Sequence, residues 1–263
     1  MIYFLQELRL RNELLFYFSA ILFVCSILFY MLTKITSVQV AGVNAWLKPF
    51  KFAISIAIYC STMAWFVYYV PSFNVKLFTW ANIFLFSFEI VYITIQASRG
   101  QESHFNSTSP FYRMMFVGMA IAAIAISIYA AYVGLKFFQA DFPNLPDYYV
   151  WAIRLGIFIF LVFSFEGMLM GARGSHAIGT EEQTTFLPFL KWNRKEGDLR
   201  VAHFIGMHAL QIIPLLAFYL LKDTRAVVAI SIMYILFAVF VLIQALQAKP
   251  FMKSKQQQHE IIQ

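Results

Sequence analysis

The segment FEIVYITIQASRGQESHFN, residues 88–106, joins an apolar stretch to a charged one. Its first part is apolar enough for lipid, yet it contains the carboxylate of Glu89. An ionisable side chain inside hydrocarbon is costly to bury and usually serves a function. Its second part adds Arg99 and His104 just beyond the apolar residues. The segment therefore predicts a membrane-spanning helix with a polar functional site at one end.

A looser copy of this pattern, FEGMLMGARGSH, occupies residues 165–176. It again places a glutamate, Glu166, before an Arg-Gly pair and a Ser-His pair. Internal repeats are common in membrane bundles. The glutamate and the arginine are separated by different lengths in the two copies, so an internal duplication and a coincidence both stay open.

The composition of the 263 residues indicates a membrane protein. They are 61% hydrophobic and 13% charged, whereas soluble domains carry about 25% charged residues. Apolar runs repeatedly exceed the roughly 18 residues that a helix needs to cross a bilayer. Alternating segments of about ten residues, the pattern of membrane β-barrels, do not occur. We therefore predict an all-α polytopic helix bundle in contact with the lipid bilayer.

The charge and cysteine patterns agree with this class. In a membrane protein, a net charge of +7 usually reflects basic loops at the cytoplasmic face, so no nucleic-acid partner is expected. Cys25 and Cys60 both fall within apolar stretches and lack the spacing of a disulfide framework or a zinc site.

Hydrophobic runs and boundary residues predict seven transmembrane helices in a single domain, residues 1–248, followed by a mobile cytoplasmic tail, 249–263. Pro49 in a first helical turn, and Ser109 and Asp198 as N-caps, mark three of the starts. The predicted spans are about 13–33, 49–70, 76–98, 110–138, 148–172, 199–221 and 225–247.

The distribution of basic residues predicts the orientation. Most of the 20 Lys and Arg fall on the face that receives the loops 34–48, 99–109 and 173–198. Cytoplasmic loops carry an excess of such residues, so we expect a cytoplasmic C-terminus and an outside N-terminus. Arg9 and Arg11 oppose this locally, because they outnumber Lys34 across the first span.

Polar side chains recur on the third span at intervals of seven residues. That spacing keeps them within about 20° of one line per heptad and predicts a polar stripe along the helix. Hydrogen bonding between helices is the alternative role of such a stripe. The residues are Asn82, Glu89, Gln96 and Ser103.

The sixth span begins with a second polar face, confined to an arc of about 140°. Two histidines on one arc leave a functional role and simple packing both open. The residues of this face are Arg200, His203, Met207, His208 and Gln211.

These features together predict one polar pocket at the cytoplasmic ends of spans three, five and six. The candidate catalytic residues are Glu89 and Glu166. The candidate ligand-binding residues are Arg99, Arg173, Arg200, Gln96, Gln211, Ser103 and Ser175. The candidate metal ligands are His104, His176, His203 and His208.

The sequence is similar to an uncharacterised family of bacterial inner-membrane proteins. The resemblance covers most of the chain and implies a multi-pass protein of the bacterial cytoplasmic membrane, but it implies no activity. The segments that carry it are WLKPFKFAIS (46–55), EIVYITIQASRGQESHFN (89–106), GARGSHAIG (171–179) and GDLRVAHFIGMHALQIIPLLAF (197–218).

Three functions fit the predicted pocket, and the sequence does not decide whether the protein is an enzyme. The first is a membrane protein that holds haem, a divalent metal or a small anionic ligand, with arginines to neutralise the anionic groups. The second is a transporter or binding protein for a small anion or a phosphorylated lipid. The third is a non-catalytic receptor or assembly partner that docks through residues 174–198. Motifs of P-loop, G-x-S-x-G and H-E-x-x-H enzymes are missing.

Overall fold

The computed structural model describes residues 2–179, 187 and 190–252. Within these residues, seven helices are long and apolar enough to cross a membrane. The prediction of an all-α polytopic bundle is therefore confirmed. The chain is an integral, multi-pass membrane protein.

The chain forms two compact units, Met1–Ala140 and Asp141–Gln263. The prediction of a single domain ending at residue 248 stays a prediction. Most of the predicted mobile tail, residues 253–263, lies outside the described residues.

Unit 1 contains five helices and a short antiparallel hairpin that pairs Gln39 with Asn44. Helix α3 packs on α2 and α4, and α5 packs on α4. Its elements are α1 (Ile2–Arg11), α2 (Glu13–Ile35), β1 (Gln39–Val40), β2 (Val43–Asn44), α3 (Leu47–Val67), α4 (Val75–Ser98) and α5 (Pro110–Gln139).

In the described part of unit 2, three helices pack on one another, and a two-stranded antiparallel pair joins Ala177 to Asp198. Its elements are α6 (Asp147–Arg173), β3 (Ala177–Ile178), β4 (Gly197–Asp198), α7 (Leu199–Leu216), a π-helical turn (Ala217–Leu221) and α8 (Thr224–Leu246).

The helix boundaries follow local chemistry. The Ser109 hydroxyl accepts a hydrogen bond from the Tyr112 N–H at 3.3 Å, and the Asp198 carboxylate accepts one from the Arg200 N–H at 3.1 Å. Both predicted N-caps are therefore confirmed. The second span was predicted to reach residue 70, but α3 ends at Val67. Beyond Val67 the backbone hydrogen bonds join residues three apart, from the Tyr69 N–H to the Phe66 carbonyl and from the Val70 N–H to the Val67 carbonyl. Such bonds satisfy carbonyls that the end of an α-helix leaves without a partner.

Small residues set the spacing between α6 and α7. A Cβ on Gly206 would overlap the Phe163 ring, and a Cβ on Gly156 would lie 3.0 Å from the Ala209 carbonyl oxygen. Close backbone approach at small residues is the usual way in which membrane helices associate. The contact brings side chains near the end of α6 directly against the first turns of α7.

Candidate functional site

Unit 2 brings Glu166 of α6 and His203 of α7 together. The Nδ1 atom of His203 lies 3.4 Å from Glu166 Oε2 and 2.8 Å from the Phe163 carbonyl oxygen. A carbonyl only accepts, so Nδ1 carries the proton and donates to Phe163. In the neutral imidazole, the lone pair is then on Nε2.

The glycine at position 167 leaves room for the His203 ring beside Glu166. The His203 ring lies against Gly167, where a Cβ would stand only 2.7 Å from the ring's Cε1 atom. Any larger residue at 167 would force the imidazole out of its present position. This glycine is part of the site that the sequence pattern alone does not reveal.

The Glu166 side chain is only 6% exposed, whereas the His203 side chain is 30% exposed. Neither carboxylate oxygen of Glu166 accepts a hydrogen bond from the described residues. A buried carboxylate in this state has two stable options, to take a proton itself or to face a protonated neighbour. The imidazole of His203 is thus the ionisable group that faces this buried carboxylate.

His208 is held in a similar way one turn further along α7. Its Nδ1 lies 2.7 Å from the Phe204 carbonyl oxygen, and its ring stacks on the Phe204 ring with centroids 4.1 Å apart. The Nε2 atom again keeps the lone pair. Gln211 is partly buried on the same helix.

Arg200 is engaged by an acid that the sequence reasoning treated only as a cap. Its guanidinium donates to both oxygens of Asp198, at 2.9 and 2.6 Å, and to the Lys191 carbonyl at 2.8 Å. The Asn193 N–H also donates to Asp198, at 2.9 Å. Arg200 thus connects the first turn of α7 to the preceding loop by hydrogen bonds. The triplet D-L-R at a predicted helix start is the sequence signal from which this pair could have been expected.

The pKa of Asp198 reflects two opposing causes. Burial of the carboxylate acts to raise it, but the hydrogen bonds and charge of Arg200, the Asn193 N–H and the nearby His176 together hold the pKa below its ordinary value. The charged form of Asp198 is thus the form that the folded protein stabilises.

The remaining candidates of unit 2 lie between α6 and β3. Arg173 is exposed at the last position of α6. The Ser175 hydroxyl accepts from the Ala177 N–H at 3.1 Å, and the His176 carbonyl accepts from the Leu199 N–H at 3.0 Å. These last two residues shape the turn into β3. Much of the predicted docking loop, residues 180–186 and 188–189, lies outside the described residues.

In unit 1, the candidates gather where α4 ends. Gly100, with φ +64°, terminates the helix, and the Gln101 N–H returns to the Gln96 carbonyl at 2.9 Å. The Gln96 side chain donates to the Glu102 carbonyl at 3.0 Å. Gln96 therefore ties the helix end to the following loop, while Arg99 is exposed.

His104 sits in an aromatic box in this loop. Its ring centroid lies 5.6, 6.3 and 6.0 Å from those of Phe52, Phe105 and Phe116, and its Nδ1 lies 3.1 Å from the Ser103 hydroxyl. Burial, and secondly the charge of Lys48, lower the pKa of His104 well below its usual value. The imidazole is therefore neutral near pH 7.

The structure thus places some of the candidate residues in contact with one another and others in contact with residues that were not candidates. Glu166 meets His203, Ser103 meets His104, and Arg200 is paired with Asp198. No group of three His, Cys, Asp or Glu side chains gathers as a metal site among the described residues. The predicted pocket combines residues of both units, so it stays a prediction, as do the catalytic, ligand and metal roles assigned to its members.

The fold and this geometry define a class, a seven-span membrane protein with an ionisable Glu–His pair inside its helices. Comparisons with protein-family models, with curated proteins and with solved structures found no match.

Proposed function

We propose that the protein binds a small-molecule cofactor in unit 2, with haem as the leading candidate, and that His203 Nε2 is the atom that ligates it. The observation that carries this proposal is the fixed Nδ1 of His203, held by the Phe163 carbonyl at 2.8 Å and faced by Glu166 at 3.4 Å. Metal-binding histidines almost always donate their other ring N–H to a carbonyl or carboxylate, which fixes the ring and makes it a stronger ligand.

The donor set favours a cofactor that brings most of its own ligands. A bare divalent metal needs three or four protein ligands, and the described residues provide no such group. A haem iron needs one or two axial ligands from the protein. His208, whose Nδ1 is also held by a carbonyl, is an alternative ligand to His203, because the five-residue separation directs the two rings about 140° apart around the helix.

The residues of this chain have distinct tasks in the proposed site. His203 holds the cofactor, and Phe163 and Glu166 orient its imidazole. The bound cofactor would supply electron transfer or ligand binding, and the exposed Arg173 is suited to an anionic group at its edge. The resemblance to bacterial inner-membrane proteins is consistent with such a role at the cytoplasmic membrane.

Absorbance of the purified full chain tests the proposal. We expect a Soret band in protein produced with haem available, and its loss in H203A. E166Q keeps the volume but weakens the orienting contact, so haem affinity should fall by about 10- to 100-fold. H104F is the matched control, because it removes a described imidazole of unit 1 and not of unit 2, and it should keep the band. Colourless wild-type protein after haem reconstitution contradicts the proposal.

A second function, proton-linked transport of a small anion or a phosphorylated lipid, is favoured by the buried Glu166 carboxylate. Both of its oxygens lack hydrogen bonds from the described residues while a histidine stands beside it. Glu and His pairs inside spans commonly relay protons in transporters. Substrate uptake into proteoliposomes that is lost equally in E166Q and H203A, with no haem spectrum, would support this function instead of the first.

A further inference from the structure

Unit 1 contains a buried polar line that the proposed function does not use. It consists of Asn82, Glu89 and Gln96, seven residues apart on α4, and we call it the α4 stripe. The three residues are 1%, 7% and 1% exposed. The stripe therefore faces the interior of the unit along most of the helix.

Each amide of the stripe uses its donor and leaves its acceptor unmatched. The Asn82 Nδ2 donates to the Phe78 carbonyl at 2.8 Å, and the Gln96 Nε2 donates to the Glu102 carbonyl at 3.0 Å. Among the described residues, no group donates to Asn82 Oδ1 or Gln96 Oε1. Buried acceptors are normally paired, so each of these oxygens calls for a donor.

Glu89, midway along the stripe, has the same need. It forms no hydrogen bond or ion pair with the other described residues. The buried hydroxyl of Tyr92, one turn further along α4, also lacks a partner there. Polar atoms that require outside hydrogen-bond partners thus occur at four levels of a single helix.

The spacing of these polar groups along α4 determines which kind of molecule can form hydrogen bonds with all of them. Seven residues of α-helix rise by roughly 10 Å, so the stripe extends over roughly 21 Å of a hydrocarbon core about 30 Å thick. A single ion or small ligand cannot reach acceptors that far apart. A file of water molecules can, because each water donates twice and bridges to the next.

The ionisable groups around the stripe leave Glu89 as its proton carrier. Glu89 is the only carboxylate in α3, α4 and α5, and α2 has only Glu13, which pairs with Arg9 at 3.0 Å. The other ionisable groups of these helices are tyrosines, Cys25 and Cys60, and basic residues close to the helix ends: Lys34, Lys48, Lys51, Lys76, Arg113 and Lys136.

We propose that the α4 stripe holds a file of water molecules through the membrane-spanning part of unit 1 and that Glu89 passes protons along it. A hydrated proton on one side converts the Glu89 carboxylate to the acid and leaves a neutral water. The acid then returns the proton to a water on the other side and becomes a carboxylate again. This activity lies within unit 1 and does not rest on cofactor binding in unit 2.

Proton uptake by proteoliposomes tests the proposal. The full chain is reconstituted with a pH-sensitive dye inside, and a potassium gradient with valinomycin sets the membrane potential. We expect faster acidification than in protein-free liposomes and a loss on the order of tenfold or more in E89Q, because a positioned acid–base group is removed. N82L and Q96L should slow the flux less, since each interrupts the file at one level.

E102Q is the matched control, because it removes an exposed carboxylate from the loop after α4, and its flux should equal that of the wild type. Wild-type flux no higher than that of protein-free liposomes overturns the proposal. Equal flux in wild type and E89Q overturns it as well.

Radiolytic labelling in H₂¹⁸O tests the water file in the unmodified protein and needs no variant to fold. Tyr92 is only 5% exposed, so it should incorporate ¹⁸O only if ordered water lies beside it. Phe84 is 75% exposed on the outer face of the same helix and reports labelling in lipid or detergent. Labelling of Tyr92 above that of Phe84 is the expected result, and no incorporation at Tyr92 overturns the proposal.

Discussion

Two glutamates lie in interior turns of membrane-spanning helices, one in each unit, and their surroundings differ. The Glu166 side chain, 6% exposed, has the imidazole of His203 at 3.4 Å. Glu89, 7% exposed, has no ionic partner among the described residues. A buried carboxylate beside a basic group is stabilised by sharing a proton with it, whereas an unpartnered one bears the full cost of leaving water.

The neighbouring helices, and not the glutamates themselves, create this difference. Helix α7 presents His203 to Glu166 because Gly167 leaves room for the ring. Helices α3 and α5 carry only apolar, hydroxyl and thiol groups in their central turns. A repeated Phe-Glu pattern in the sequence therefore gives a coupled pair in one unit and an isolated acid in the other.

The largest expected effect comes from removing the base of the coupled pair. H203A leaves Glu166 buried without its partner, and the free energy of unfolding in mixed micelles should fall by about 3 kcal/mol. The double variant H203A/E166A should lose less than the sum of the two single variants, with a coupling of roughly 1–3 kcal/mol. Additive losses would show that the two side chains do not interact.

Exchange of each glutamate for leucine sharpens the contrast between the two units. E166L strips His203 of its partner and should destabilise the protein by about 2 kcal/mol. E89L removes an unpartnered buried acid and should leave the protein unchanged or stabilise it by about 1 kcal/mol. Denaturation of both variants in the same detergent gives the comparison, and a large loss in E89L would reveal a partner for Glu89.

The sequence predicted the spans well because hydrophobic length alone decides them. Local chemistry also predicted Ser109 and Asp198 as caps, and the seven-residue spacing predicted that Asn82, Glu89 and Gln96 share one face of a helix, which the structure buries. These features depend on one helix at a time. Contacts between helices depend on how two helices are aligned along each other, and the sequence of a single segment does not encode that alignment.

The Glu166–His203 contact shows this limit. The sequence placed both residues among the candidates but not next to each other, because Gly167 and Gly206 set the register through packing against α7 and α6. Arg200 shows the converse. It was predicted to bind a ligand, while in the structure its guanidinium is engaged by Asp198 and the Lys191 carbonyl.

Asp198 provides a charged pair outside the membrane for comparison with Glu166. D198N keeps the N-cap acceptor but loses the charge that faces Arg200, so at pH 7 it should cost about 2 kcal/mol. The pKa of Asp198 is lowered in the folded state, so its contribution is present above the unfolded pKa near 3.8 and is lost as the pH falls through the folded value. The difference between wild type and D198N should therefore shrink in acid. An unchanged difference at pH 3 would contradict this account.

Substitution at Gly167 tests whether the Glu166–His203 contact requires a residue without a side chain at this position. G167A places a methyl group 2.7 Å from His203 Cε1, so the ring must shift and stability should fall by about 1 kcal/mol. G171A is the matched control, one turn further along α6, where nothing lies within 4 Å of the new methyl group. There the replacement of a helical glycine should stabilise by up to about 1 kcal/mol. Equal effects of the two substitutions would remove the role assigned to Gly167.

A pH-dependent effect separates the histidine of unit 1 from that of unit 2. Burial and Lys48 lower the pKa of His104 below that of the unfolded chain, so its contribution to stability is full above pH about 6.5 and declines as the pH falls toward the folded value, by at most about 1.4 kcal/mol per pH unit. H104F keeps a ring in the aromatic box but cannot titrate. The stability of wild type relative to H104F should therefore drop between pH 7.5 and 5.5, measured by denaturation in the same detergent. A constant difference would mean that the aromatic box accommodates the charged imidazolium as well as the neutral ring.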